Sequence, residues 1–354
     1  MTNTPLSFSN RLLDWFDLHG RKNLPWQHPR SAYRVWISEI MLQQTQVQTV
    51  IPYFERFMAR FPTLQVLADS DEDQVLAYWS GLGYYSRARN IHKTAQLICQ
   101  QWQGIFPETI TGLTNLPGIG ETTAAAILSQ AFNKPAAILD GNVKRVLSRH
   151  FMVDGFPEQS AVKKRLWQLA RESMPEQRCA DYTQAIMDLG ATCCTKKPDC
   201  ASCPLNQTCL AYREQKAHLY PYKKARKALP EKHEQFLLLY NDQQQIYLEK
   251  RPPSGIWGGL WCLPAIDQRQ NATEFVQTQY GLSATNTIAL TEIKHTFSHF
   301  HLYIKAMALK ITSNATDRVC ESKGKWLEIT ELENLGLAKP VNDVITCFYQ
   351  NISK

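Results

Sequence analysis

Two carboxylates and a cluster of thiols are the side chains of this sequence best placed to do chemistry. Glu39 lies in Ser38-Glu39-Ile40-Met41-Leu42-Gln43-Gln44, inside an apolar stripe. Desolvation there raises a carboxyl pKa and keeps the group protonated near neutral pH, which is what a general acid requires. Asp140 comes twenty residues after the end of Leu116-Pro117-Gly118-Ile119-Gly120, a Gly-x-Gly turn that opens a helix. Such a turn brings backbone close to a ligand and aims free N–H groups at an anion, such as a phosphate oxygen. Asp140 also stands where an N-cap would stand, and capping is the commoner role for an aspartate so placed. Lys144 and Arg145, four and five residues on, add charge suited to a phosphodiester. Position 122, just inside the helix after the turn, is Thr rather than Lys. Cys194, Cys200, Cys203 and Cys209 form C-x5-C-x2-C-x5-C, with Cys193 immediately before. Four clustered thiolates mark a metal site, and spacing alone leaves zinc and an iron–sulfur cluster both open.

The elements that must position these groups are helical up to about residue 212. Ile37, Ile40, Met41, Val47, Val50, Ile51, Phe54, Phe57 and Met58 follow the three-to-four spacing of a buried face. Similar stripes run through 74–80, 85–103, 121–132, 142–151 and 160–174, separated by short Pro- and Gly-marked loops. Residues 105–132 read as helix, turn and helix around the LPGIG segment. Residues 213–234 are polar, basic and bounded by Pro, which is a linker signature. Beyond them the period changes to two. Phe236–Tyr240 and Gln245–Leu248 flank Asn241-Asp242 as a hairpin, and Phe300, Leu302, Ile304 and Ala306 alternate with polar neighbours as a half-buried strand. The expected domains are therefore 1–212 (all-α), 213–234 (linker) and 235–354 (smaller, α+β).

Composition narrows the partners. The 354 residues carry a net charge of +7, and it is unevenly spread. Residues 1–230 hold 27 Lys/Arg against 19 Asp/Glu, whereas 231–354 hold 12 against 13. A basic first part and a neutral second part suit a polyanion-binding catalytic region with an appended module. No run of eighteen apolar residues and no basic start followed by an apolar core is present, so neither a membrane span nor a secretory signal is expected. Ten Cys without an export signal fit a reducing compartment, where clustered thiols serve metals.

LPGIG, LDGNVKR, SEIMLQQTQV, IPYFERF, GLGYYSRARN and the later FSH together resemble the helix-hairpin-helix DNA glycosylase superfamily, and within it the adenine DNA glycosylases of the MutY type, over nearly the full length. The resemblance implies a multidomain protein: an all-α helix-hairpin-helix glycosylase region with an iron–sulfur loop at 194–209, then a smaller α+β Nudix-like domain. It implies that Glu39 protonates N7 of the adenine and that Asp140 stabilises the sugar cation after the base leaves, two carboxylates on opposite sides of a glycosidic bond. Asn142 matches a polar residue of that site. Gln44, in the Gln43–Gln44 pair, and Tyr84 match the residues that enter the DNA when the base is flipped out. Gly118, Gly120 and Thr122 belong to the same DNA-contacting set, and Trp26 and Gln184 match positions lining the adenine pocket. Relatives that also cut the strand use a Lys at position 122 to form a Schiff base. Thr122 cannot, so a monofunctional glycosylase without strong lyase activity is implied.

The family's cluster is a [4Fe–4S] held by C-x6-C-x2-C-x5-C. Aligned on the preceding Asp-Leu-Gly-Ala helix, Cys194 is the first ligand here, although that spacing would select Cys193. In the C-terminal domain, Phe297, Ser298 and His299 match the motif that reads 8-oxoguanine opposite the adenine. The paired glutamates a working Nudix hydrolase needs for magnesium are missing from TEFVQTQYGL. The partner expected from the resemblance is duplex DNA carrying adenine opposite 8-oxoguanine or guanine, acted on by a monomer in the bacterial cytoplasm, at the nucleoid.

Overall fold

The computed structural model describes residues 7–224, 228–312 and 324–352; positions 225–227 of the expected linker and 313–323 of the expected C-terminal domain lie outside that set. Twelve helices precede the first described strand: α1 (Phe8–His19), α2 (Ala32–Leu42), α3 (Val47–Arg60), α4 (Leu64–Ala68), α5 (Glu72–Trp79), α6 (Ser86–Trp102), α7 (Ile110–Thr114), α8 (Glu121–Phe132), α9 (Gly141–His150), α10 (Ser160–Glu172), α11 (Cys179–Thr192) and α12 (Leu210–Arg213). The chain divides into two compact units, one taking the described part of 1–68 and 93–225, the other that of 69–92 and 226–354. Their division does not follow chain order, because residues 69–92 pack with the second unit.

In the first unit α8 is the central helix. Every residue from Thr123 to Gln130 is buried, so it is covered all round rather than along one stripe. Its small residues Ala124, Ala125 and Ala126 suit close packing against α2 and α11. The stripe that begins at Ile37 is broken, since α2 ends at Leu42 and α3 starts at Val47. Gln44 causes the break: its φ of 59° is a left-handed conformation no helix can carry through. The first half of the expected linker folds back on this unit. Tyr220 is buried, its hydroxyl donates to Asp154 Oδ1 at 2.6 Å, and Arg149 Nε donates to its carbonyl at 3.0 Å.

The second unit is built on a sheet of β1 (Glu231–Tyr240), β2 (Ile246–Lys250), β3 (Trp261–Cys262), β4 (Ala265–Asp267), β5 (Ser283–Thr296), β6 (His301–Thr312) and β7 (Gly324–Leu327), with helices α13 (Ala272–Tyr280), α14 (Ile329–Leu332) and α15 (Lys339–Ile352). The strand order is β3-β2-β1-β6-β5, with β4 paired to β1 and β7 to β2. The β1–β2 hairpin closes on Tyr240 opposite Ile246, and Asn241 Oδ1 accepts from the N–H groups of Gln243 and Gln245, both at 3.0 Å. Gln245 thus belongs to the turn and not to the strand. Leu302, Ile304 and Ala306 are buried along β6, as their alternation requires. Tyr247, Val276, Tyr280 and Leu309 meet in the core beneath α13. That helix carries one carboxylate, Glu274, on its exposed side.

Candidate active site

Glu39 and Asp140 are brought together in the first unit. Ser31 caps α2 by accepting from Arg34 N–H, and the helix presents Glu39 between buried Ser38 and Ile40. Glu39 retains a partial opening at the surface, so it is desolvated without being sealed away. Burial pushes its carboxyl up to about 7; the negative charge of Asp140 adds to the rise, and a hydrogen bond from Gln130 Nε2 to Glu39 Oε1, 2.9 Å long, works against it. Asp140 caps α9, its Oδ1 accepting from Val143 N–H at 2.8 Å. Burial raises the Asp140 pKa too, but the N–H groups of Val143 and Asn142 and the charges of Arg145 and Lys144 oppose that rise. Two adjacent carboxyls therefore sit in different surroundings, one favouring the acid and one better supplied with donors to its anion, the arrangement that separates acid from base roles.

The turn before α8 holds Gly118 at φ 78°, which demands glycine. Gly120 is different. It caps α8 at φ −88°, and a Cβ there would meet nothing within 4 Å. The fold leaves that space open in front of the helix N-terminus, where an anion can approach. Thr122 lies one residue inside the helix, half-exposed.

The other candidates of this unit have partners of their own. Gln43 Nε2 lies 3.5 Å from Thr123 Oγ1, while Gln44 is exposed on its left-handed backbone. Trp26 is 2% exposed and packs edge-on against Phe54 at 5.5 Å, as a core aromatic would. Gln184 is buried on α11; its Nε2 donates to Asp188 Oδ1 at 2.7 Å, and its Oε1 has no hydrogen-bond partner. Asn142 Oδ1 accepts from Arg145 Nη2 at 2.8 Å.

Cys193, Cys194, Cys200, Cys203 and Cys209 all line one cavity walled by Val146, Leu189 and Arg149, and none forms a disulfide. Among the described residues no three His, Cys, Asp or Glu are arranged to hold a single ion. Thiols sharing one cavity are the donor chemistry that either a zinc ion or an iron–sulfur cluster would take. Burial and then the neighbouring thiols push the Cys200 thiol up, and burial does the same to Cys209. Two arginines of α9 hold the loop: Arg145 Nε donates to Cys194 O at 2.6 Å, and Arg149 Nη1 donates to Thr195 O at 2.6 Å and to Cys194 Sγ at 3.3 Å. Cys193 Sγ instead donates to Asp199 O at 3.2 Å.

In the second unit, Tyr84, Trp257, His295 and the run from Phe297 to His299 line a cavity of about 620 Å³. Tyr84 is 46% exposed and holds φ 48°. Phe297 stacks on Phe300 at 4.6 Å and packs against Trp257 at 5.5 Å, fixing the loop, while Ser298 and His299 stay exposed at its tip.

Residues 37–172 match the HhH-GPD superfamily of base excision DNA repair proteins, and residues 235–347 match the NUDIX domain. An adenine DNA glycosylase of Buchnera aphidicola (Schizaphis graminum) is 39% identical over 342 residues, covering 96% of this chain and 98% of its own. The chain belongs to the adenine DNA glycosylase family. The adenine DNA glycosylase of Homo sapiens is 32% identical, covering 97% of this chain and 74% of its own. Among solved structures, a thermostable thymine-DNA glycosylase is similar with a TM-score of 0.54 at 27% identity, over 58% of this chain and 95% of its own. No helix among the described residues is long and apolar enough to cross a membrane.

Three groups of this family member have roles the sequence reading did not give them, and Arg145, expected to face a phosphodiester, is turned to the cysteine loop instead. Gln130 bonds the acid, Arg145 and Arg149 hold the cysteine loop, and Arg21 forks onto buried Asp188 at 2.6 and 2.9 Å beside Gln184. Only Gln130 leaves a local trace, as an amide beside Ser129 at the end of the apolar run 124–128 of α8.

Proposed function

We propose that the protein hydrolyses the N-glycosidic bond of adenine standing opposite 8-oxoguanine or guanine in duplex DNA, and leaves the strand uncut. The observation that carries this reading is the buried acid Glu39 with Asp140 beside it at the N-cap of α9. Glu39 gives its proton to N7 of the flipped adenine; the bond from the sugar to the base breaks with its electron pair going to the base. The Asp140 carboxylate stabilises the sugar cation until water adds to it and gives up its proton to solvent. Asn142, beside it, orients the site through Arg145. The open N-terminus of α8 at Gly118, Gly120 and Thr122 receives a backbone phosphate, and Gln184 and Trp26, both buried, belong to the wall behind the adenine pocket. Gln43 and Gln44 occupy the space the base vacates; in the second unit Tyr84 enters the DNA, and Ser298 and His299, braced by Phe297, read the opposing base. The protein acts as a monomer, inside the cell at its DNA.

This predicts adenine release from duplexes in the order 8-oxoguanine or guanine opposite, well ahead of cytosine or thymine. Equal release from all four duplexes would remove the role given to Ser298 and His299. Borohydride should trap no covalent protein–DNA adduct, because Thr122 has no amine to attack the sugar; efficient trapping would favour a lyase instead.

We also propose that Cys194, Cys200, Cys203 and Cys209 hold a [4Fe–4S] cluster, whose role when bound is to tie the 194–209 loop into one piece. Purified protein should then contain about four iron and four sulfide per chain. Cys194→Ser is expected to lose most of that iron and Cys193→Ser to keep it; the reverse result would make Cys193 the ligand.

A further inference from the structure

We propose that Gln130 is a positioning residue for the acid: its side-chain amide fixes the Glu39 carboxyl so that Oε1 serves as the acceptor oxygen and the transferable proton rides on Oε2. The inference rests on the glycosylase reading above and adds to it the question of which oxygen does the work.

Gln130 is 3% exposed, in a helix whose neighbouring positions are buried and mostly apolar. An amide in such a place is costly unless its polar atoms are used. Its Nε2 is used on Glu39 Oε1, at 2.9 Å, across the packed face between α8 and α2. A neutral carboxyl offers one oxygen that accepts and one hydroxyl that donates, and an amide NH₂ can only donate. Oε1 must therefore be the acceptor, and the hydroxyl is left on Oε2. Both partners stand on helices held together by packing, so the carboxyl is fixed in rotation as well as in protonation. The charged group acting on Glu39 is Asp140, from the start of α9, and it works in the opposite sense to Gln130. Asp140 favours the protonated acid. The Gln130 donor favours the anion, and so keeps the acid able to give its proton away.

The test is the single-turnover rate of adenine release against pH, with DNA affinity measured separately. Gln130→Leu keeps the volume and removes the donor. It is expected to slow release about tenfold near neutral pH, the worth of one buried hydrogen bond, with unchanged DNA affinity and the alkaline limb moved to higher pH. Gln130→Glu keeps the shape and covers the case in which the leucine variant does not fold. Its carboxyl donates only when protonated, so activity should approach wild type at low pH and fall away earlier as pH rises. Profiles superimposable on wild type, or losses confined to DNA affinity, overturn the proposal. Wild-type protein that releases no adenine overturns the glycosylase reading itself, which is a separate outcome.

Discussion

Glu39→Gln is expected to slow adenine release by about 10²–10⁴-fold, the range that a positioned general acid contributes, while leaving DNA binding intact. The amide that replaces the carboxyl has the same shape and can still accept from Gln130, so the loss is one of a proton and not of packing. On the proposed mechanism the active form of the wild type is the protonated acid. With burial holding its pKa up to about 7, the rate falls as pH rises through that value. The same shift bears on folding with a definite sign. The Glu39 pKa is raised from an ordinary 4.5, so the stability it permits is full below about 4.5 and is lost as pH rises toward 7. The variant has no charge to bury. Its Tm should therefore match wild type in acid and exceed it at pH 8, a pattern that a damaged fold would not give. Activity within a few-fold of wild type in Glu39→Gln would take the acid role away from this residue.

Asp140→Asn is the second large effect, about 10²–10³-fold in the rate of base release, comparable to removing one electrostatic stabiliser of a transition state. The difficulty at this position is that the carboxylate has two duties. It accepts from Val143 N–H to start α9, and its charge faces the acid. Asparagine is as good an N-cap as aspartate, so this substitution removes the charge and keeps the helix. Asp140→Ala removes both and should cost about 1 kcal/mol of stability in addition. Because Asp140 helps to hold Glu39 protonated, the residual activity of Asp140→Asn should also show its alkaline limb at lower pH. If the asparagine variant keeps its rate and only the alanine variant loses stability, Asp140 is a cap and nothing more.

Much of this site is legible in the sequence because its parts are local. An acid on an apolar stripe, a Gly-x-Gly turn before a helix and an aspartate at a cap each announce themselves within a few residues. Alternation along 300–306 likewise fixes the buried face of β6 without knowledge of its neighbours. What stays hidden depends on contacts between distant segments. Spacing runs on through Gln43–Gln46, so the stripe gives no sign that α2 stops at Leu42. The parallel pairing of Glu231 with His301 spans a stretch that no local period can see. The grouping of residues 69–92 with the second unit rests on such contacts as the Asp73–Lys250 ion pair at 2.8 Å. Gln130 and Arg149 look like ordinary helix residues, and Arg145 like a charge for a phosphodiester, until α8 and α9 are laid against their neighbours.

Gln44 and Tyr84 share a conformation that neither residue prefers, with φ of 59° and 48°. Held there, an L-residue with a side chain costs about 1–2 kcal/mol that a glycine would not. Drift under selection for stability alone would run toward glycine at both places. An amide and an aromatic ring stand there instead. Other described non-glycine residues, Met152 at φ 46° and Trp257 at φ 52° among them, share this conformation, so the strain fixes where the amide and the ring stand and does not by itself mark a site.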